Sequence, residues 1–133
     1  MKQIGVGVIG AGWVGGIRAN ACASSAVVSE LHIAETNPDR AAEIAAETKA
    51  TRVTDDWREL VATESIEAII IASTPESARY PILRAALKAG KHVLIEKPIA
   101  LSPVETDEAI AIAEDRGVQL SAIAIASSVS TGL

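Results

Sequence analysis

Short apolar runs alternate from end to end of this chain with longer segments in which apolar residues recur every three or four places. The runs "KQIGVGVI" (2–9), "VVSELHIAE" (27–35), "KATRV" (49–53), "IEAIIIAS" (66–73), "KHVLIE" (91–96) and "VQLSAIAIA" (118–126) predict strands. The segments 13–25, 40–48, 57–64, 74–91 and 102–117 predict helices, with "TNPDR" (36–40) a turn before the second. "IEAIIIAS" is apolar at nearly every position, as a strand buried on both faces of a parallel sheet requires. Helix ends are marked as well. Asp55 or Asp56 caps the third helix. Ser102, Pro103 and Glu105 spell a capping box on the fifth. Gly90 and Gly117 stop the fourth and fifth in the left-handed region. Strands separated by helices of this length require right-handed crossovers. The predicted architecture is α/β: a doubly wound parallel sheet of the Rossmann type, about six strands with helices on both faces. Residues 1–126 form the expected domain, and 127–133 a small polar tail expected to fray.

The first bend carries the chemistry. In "VIGAGWVGG" Gly10, Gly12 and Gly15 make G-x-G-x-x-G between the first strand and the first helix. Gly10 permits the tight turn, Gly12 lets the backbone approach a pyrophosphate, and Gly15 lets helix and strand pack closely. Trp13 and Val14 complete the turn, where the helix start offers N–H groups and the positive end of its dipole. Gly5 and Gly7 lie within the strand and are read as packing. A glycine pattern alone is weak, because turns generate it. A second feature agrees with it: Glu35 closes the second strand about twenty residues on, where a carboxylate accepts from adenosine ribose hydroxyls. Together they favour dinucleotide binding over a structural turn. A carboxylate there repels a 2′-phosphate, so NAD is expected over NADP. Arg40 has two readings, a cation that swings toward a phosphate or a solvated first-turn helix residue; it stays among the cofactor-site candidates.

Composition narrows the partners. At 133 residues the chain suits one domain with a real core. No segment is long and apolar enough to span a bilayer. The N-terminal apolar run is short and broken by glycines, unlike a signal peptide. Cys22 is the single cysteine, which leaves no disulfide framework or thiolate metal cluster and points to a cytoplasmic setting. A net charge of −5 and three aromatic side chains (two Trp, one Tyr) argue against a nucleic-acid surface. No metal site is expected. His32 and His92 fall on strands, His92 at the far end of the fifth from any cleft, and both read as structural. Cys22 reads as helix packing.

"GVIGAG", the acidic residue before "NPDRA", "IIIASTPESARYPILRAALKAGKHVLIEKPIA" and the capped helix after it resemble the nucleotide-binding half of the glucose–fructose oxidoreductase/inositol dehydrogenase/MocA family. The resemblance runs from about Ile4 to about Leu120, and "AGKHVLIEKP" is its most specific part. It implies that Glu96, Lys97 and Pro98 lie beside a nicotinamide, with Lys97 the catalytic lysine that contacts a substrate hydroxyl or carbonyl. It also implies that Ser73, Thr74 and Pro75 line the cofactor cleft. The implied activity is NAD-dependent hydride transfer on a sugar or polyol. Two departures stand out. The family carries a histidine where Arg79 stands, so Arg79 reads as a solvated helix residue. The family also continues into a second α/β domain bearing the catalytic histidine, the substrate pocket and often an oligomer interface. That domain is absent from this chain, which is therefore expected to be a truncated representative, weakly active or inactive alone. Two alternatives remain open: a stand-alone NAD-binding module without catalysis, and an assembly protein that pairs through the apolar edge of strand six.

Overall fold

A computed structural model of the chain describes residues 2–72, 74–97 and 101–124. Eleven elements follow in strict alternation: β1 (Ile4–Ile9), α1 (Trp13–Ala23), β2 (Val28–Ala34), α2 (Pro38–Thr48), β3 (Arg52–Thr54), α3 (Trp57–Val61), β4 (Ile66–Ile71), α4 (Glu76–Lys88), β5 (His92–Lys97), α5 (Pro103–Arg116) and β6 (Leu120–Ala124). The six strands form one sheet in the order β3-β2-β1-β4-β5-β6, every pair parallel. The chain thus adopts the doubly wound parallel sheet that its alternating pattern predicts.

Two apolar layers sandwich the sheet. On one face Val6, Val8, Leu31 and Ile33 pack against Ala19 of α1 and Ile44 of α2. On the other, Ile69, Ile71, Val93 and Ile95 meet Leu60 of α3, Leu83 and Leu87 of α4, and Ala109 of α5. Strand order reverses between β1 and β4, so the helices diverge there and leave a crevice beyond the strands' carboxyl ends. Gly5 and Gly7 pack as expected: a methyl on Gly5 would sit 2.1 Å from the Ser65 carbonyl oxygen, and one on Gly7 would press on Ile69 and Leu60.

Several boundaries differ from the sequence reading, each for a local reason. The second helix begins at Pro38 and absorbs most of the expected turn, because the Asn37 side chain accepts from the Arg40 N–H at 3.0 Å and Pro38 takes the first helical position. The third strand starts at Arg52, since Lys49 ends α2 in the left-handed region (φ 53°) and cannot be extended. Asp56 is the cap of α3, which stops at Val61. Helix α4 ends at Lys88, where Gly90 (φ 79°) closes a Schellman turn: its N–H donates to Leu87 and that of Lys91 to Ala86. The α5 capping box forms in both directions. The expected end of strand six and the tail from 125 onward lie outside the described residues.

Lys91 is an unexpected core member. It is buried, and its Nζ donates to the carbonyls of Thr63 (2.8 Å) and Ile66 (2.6 Å), closing the turn before β4. Burial pulls its ammonium below the ordinary lysine value. Lys91→Met removes the Nζ donor from those two oxygens, leaving the Thr63 carbonyl with the Ile66 N–H at 3.2 Å, while keeping the stem's bulk. The expected loss is about 1–3 kcal/mol, read from urea unfolding midpoints at constant slope.

A second polar cluster makes stability depend on acid. The Glu30 carboxylate lies 2.8 Å from His32 Nε2 and accepts from Ser65 Oγ at 2.9 Å. The His32 contact first, and the serine second, hold it below the usual glutamate value. A carboxylate lowered in the folded state stabilises the fold above its ordinary range and stops doing so as pH falls through the folded value. Glu30→Gln should therefore flatten the acid limb of a stability–pH profile and leave the alkaline limb unchanged, as thermal midpoints across pH 3–8 will report.

Candidate functional site

The turn after β1 is built around its glycines. Gly10 has φ 88°, a region that side chains disfavour, and its N–H donates to the Ala34 carbonyl at 2.9 Å, tying the turn to β2. Gly15 faces that turn so closely that a β-carbon would lie 1.7 Å from the Gly10 carbonyl oxygen. Gly12 begins α1 with extended backbone and no side-chain cap, and the first turn of α1 holds no carboxylate. The amide end of α1, at Trp13 and Val14, thus keeps its positive dipole uncompensated by any acidic neighbour in that turn. Trp13 stands at the mouth of the turn, 79% exposed.

Glu35, just past β2, is locked in place. Its Oε1 accepts from the Ala11 N–H at 2.8 Å and its Oε2 from the Asn37 N–H at 2.9 Å. The carboxylate therefore joins the glycine turn to the entry of α2, and each oxygen keeps a further lone pair for a hydroxyl donor. Beside it a cavity of about 280 Å³ is lined by Ile9, Gly10, Glu35, Trp57, Thr74 and Pro75. Its walls are largely apolar, with the fixed Glu35 and a second acid, Asp55, among its lining, which suits a flat heteroaromatic group attached to a diol.

Arg40 is neither free nor solvated, which corrects the plainer of its two readings. Its Nε donates to the Ala11 carbonyl at 2.5 Å, its guanidinium lies over Gly16, and Glu43 (3.4 Å) and Glu47 (3.7 Å) flank it. The cation braces the glycine turn from the α2 side and shares its charge with two glutamates. Arg79 is also not solvated: its guanidinium donates to the Thr74 hydroxyl (3.3 Å) and carbonyl (3.1 Å), holding the start of α4 against the loop after β4. Ser73 and Pro98, two of the expected cleft residues, lie outside the described residues.

Glu96 and Lys97 end β5 at the same edge of the sheet, where Lys97 pairs with Ala124. Glu96 is buried, and its two oxygens accept from Arg18, Oε2 from Nε at 2.5 Å and Oε1 from a terminal nitrogen at 3.3 Å. Arg18 is a site residue that the sequence reading passed over. The pair bridges 78 positions, and only the basic residue three places after Gly15, on a helix that must pack on the sheet, hints at it. The Glu96 carboxylate raises the Arg18 guanidinium above its usual value against the opposing pull of burial. Cys22, one turn on, is partly buried and its thiol is raised by that burial, as a packing residue requires. His32 bonds to Glu30, and His92 Nδ1 accepts from the Gln119 N–H at 3.0 Å. His92 is the first residue of β5 and so lies at the opposite end of that strand from Glu96.

Comparison with known proteins agrees with this fold. Residues 4–123 match the oxidoreductase family described as having an NAD-binding Rossmann fold. Levoglucosan dehydrogenase of Pseudarthrobacter phenanthrenivorans is 32% identical over 126 residues, covering 89% of this chain and 32% of the relative. UDP-N-acetylglucosamine 3-dehydrogenase of Acidithiobacillus ferrooxidans is 36% identical over 121 residues, covering 90% of this chain and 36% of the relative. Among solved structures, GenD2 from gentamicin A biosynthesis, in complex with NAD, superposes with a TM-score of 0.84 at 30% identity, covering 92% of this chain and 34% of that one. The chain thus spans about a third of the length of the relatives it matches. Over residues 4–123 it belongs to the glucose–fructose oxidoreductase/inositol dehydrogenase/MocA family, as an NAD-binding Rossmann domain.

Proposed function

We propose that this domain holds NAD with its pyrophosphate against the start of α1, its adenosine ribose on Glu35 and its nicotinamide toward Lys97, and serves hydride transfer at a CH–OH group of a sugar or polyol. The observation that carries the reading is the Glu35 clamp: one carboxylate bonds the Ala11 N–H within the glycine turn and still faces a cavity sized for an adenosine. The cradle also fits the group. The space that a β-carbon on Gly15 would fill is the space that lets turn and helix close together, and among the described residues no side chain caps the start of α1 at Gly12.

Bound NAD supplies the hydride acceptor. The chain's own residues bind and orient. The first amides of α1 attract the phosphates, and the low net charge in that turn keeps them attractive. Glu35 accepts from the two ribose hydroxyls and opposes a 2′-phosphate, while Arg40, held by Ala11, Glu43 and Glu47, is poorly placed to answer one. The ammonium of Lys97 polarises the substrate oxygen and carries a proton to or from it at Nζ. Sugar and polyol substrates are suggested by the dehydrogenases among the relatives.

Calorimetric titration with NAD and NADP, followed by turnover assays with myo-inositol and common sugars, tests this. Expected are NAD binding tighter than NADP and a slow reduction of NAD. Lys97→Ala should abolish that turnover, by at least about 100-fold as for a lost general acid–base, and leave NAD affinity within about twofold. NAD binding with no turnover of any polyol would favour a non-catalytic binding module. Absence of binding to either cofactor at millimolar concentration would favour the assembly reading.

A further inference from the structure

We propose that Asp55 selects the base of the bound dinucleotide: its carboxylate accepts from the exocyclic amine of a 6-aminopurine held in the cavity beside Glu35, and turns away a 6-oxopurine. The inference rests on reading Glu35 as the acid that holds the adenosine ribose, and extends that reading to the base.

Asp55 and Asp56 are chain neighbours with different work. Asp56 caps α3, accepting from the Arg58 N–H at 3.0 Å, and it pairs with the Arg58 guanidinium at 3.2 Å. That guanidinium also lies 5.0 Å from the centre of the Trp57 ring. The cation of this turn is thus taken up. Asp55 has no hydrogen-bond or ion-pair partner among the described residues. It nevertheless lines the same cavity as Glu35, together with Trp57 and Pro75.

Strand register explains the placement. β2 and β3 run parallel with Ala34 opposite Thr54, and the Glu35 N–H donates to the Thr54 carbonyl at 2.8 Å. Glu35 and Asp55 are therefore the next residues on two adjacent strands, about 5 Å apart at the backbone. From there Glu35 reaches toward β1, to the Ala11 N–H, whereas Asp55 belongs to the β3 side and leads into α3. A nucleoside whose diol sits on Glu35 carries its base into the apolar part of the cavity, beside Trp57, where Asp55 is the second acid of the lining. No lysine or arginine lines that cavity. A carboxylate is an acceptor only, so this end suits a group that brings N–H donors. Adenine brings its 6-amino group. In a 6-oxopurine the donor moves to N1 and an oxygen faces the carboxylate, which leaves two acceptors opposed and unpaired.

The test compares calorimetric titrations of the whole chain with NAD and with nicotinamide hypoxanthine dinucleotide, which carries a 6-oxo group in place of the amine. The parent should bind NAD at least about 10-fold more tightly, the scale of one hydrogen bond to a charged group. Asp55→Ala should weaken NAD until the two Kd values agree within about twofold. Asp55→Asn presents an acceptor or a donor by turning its amide, and should hold both ligands within about threefold of each other. Asp55 is exposed, so both variants should keep the parent's circular dichroism. If Asp55→Ala does not fold, the isosteric Asp55→Asn decides alone. A structural role for Asp55 would weaken both ligands alike, and a ratio kept at the parent value in the variants overturns the inference. Equal affinity of the parent for the two dinucleotides overturns it too and leaves the cofactor reading standing, whereas binding of neither overturns both.

Discussion

Gly15→Ala is expected to destroy NAD binding and to weaken the fold at the same stroke. The added methyl would lie 1.7 Å from the Gly10 carbonyl oxygen and 2.8 Å from its carbon, both backbone atoms that no rotamer can move. Either the turn opens or α1 retreats from β1. Retreat breaks the contact of Ala19 with Val6 and Val8 in the layer beneath α1. A loss of about 2–4 kcal/mol in unfolding free energy is the scale for overpacking against backbone. Binding should fall more than about 100-fold, since the amides no longer converge on one point. Gly16→Ala is the matched control. There the methyl meets the tip of Arg40 at 2.2 Å, a side chain rather than backbone, which can shift at the cost of its bond to the Ala11 carbonyl. Its effect should stay within about 1 kcal/mol. Equal damage from the two alanines would mean that the turn is not the binding element.

Glu35→Ala is expected to erase the preference for NAD. The substitution removes the acceptor for the Ala11 and Asn37 N–H groups, and with it the acceptor for a ribose diol. Hydrogen bonds to a charged group contribute about 1.5–3 kcal/mol each when formed, so NAD affinity should drop about 10- to 100-fold. NADP affinity should drop less or rise, because the charge that repels a 2′-phosphate is gone. Glu35→Gln separates charge from shape: an amide nitrogen faces one of the two N–H donors and that contact is lost, while the repulsion disappears. Paired titrations with both cofactors read the change in ratio. A ratio that does not move would place the ribose elsewhere.

What the chain discloses before folding is what depends on near neighbours. The Ser102–Glu105 capping box, the left-handed stops at Gly90 and Gly117 and the glycine turn are written within four or five consecutive residues, and each appears where the pattern puts it. Glu35 is legible because strand length fixes its distance from the turn. The start of α2 was less so: Asn37, Pro38 and Asp39 read equally as turn formers and as a cap, a first helical residue and a first-turn acid, and only tertiary packing of Ile44 decides. Lys49 hides its left-handed backbone because it is not glycine. The long-range pairs were opaque for a different reason. Arg18 with Glu96, Arg40 with the Ala11 carbonyl and Lys91 with Thr63 join residues 25 or more positions apart, and flexible cationic side chains leave no periodic trace. The same ignorance made Arg40 and Arg79 look solvated when both are structural clamps on the cleft.

The most direct test of the account follows the backbone amides of 15N-labelled chain by NMR as NAD is added. The account predicts that the Gly12, Trp13 and Val14 amides shift together with those of Ala11, Glu35 and Thr74, in a single saturable process that AMP reproduces in part and that leaves His32 and Glu30 still. Saturable shifts centred on another part of the sheet, with the α1 amides unmoved, would contradict it.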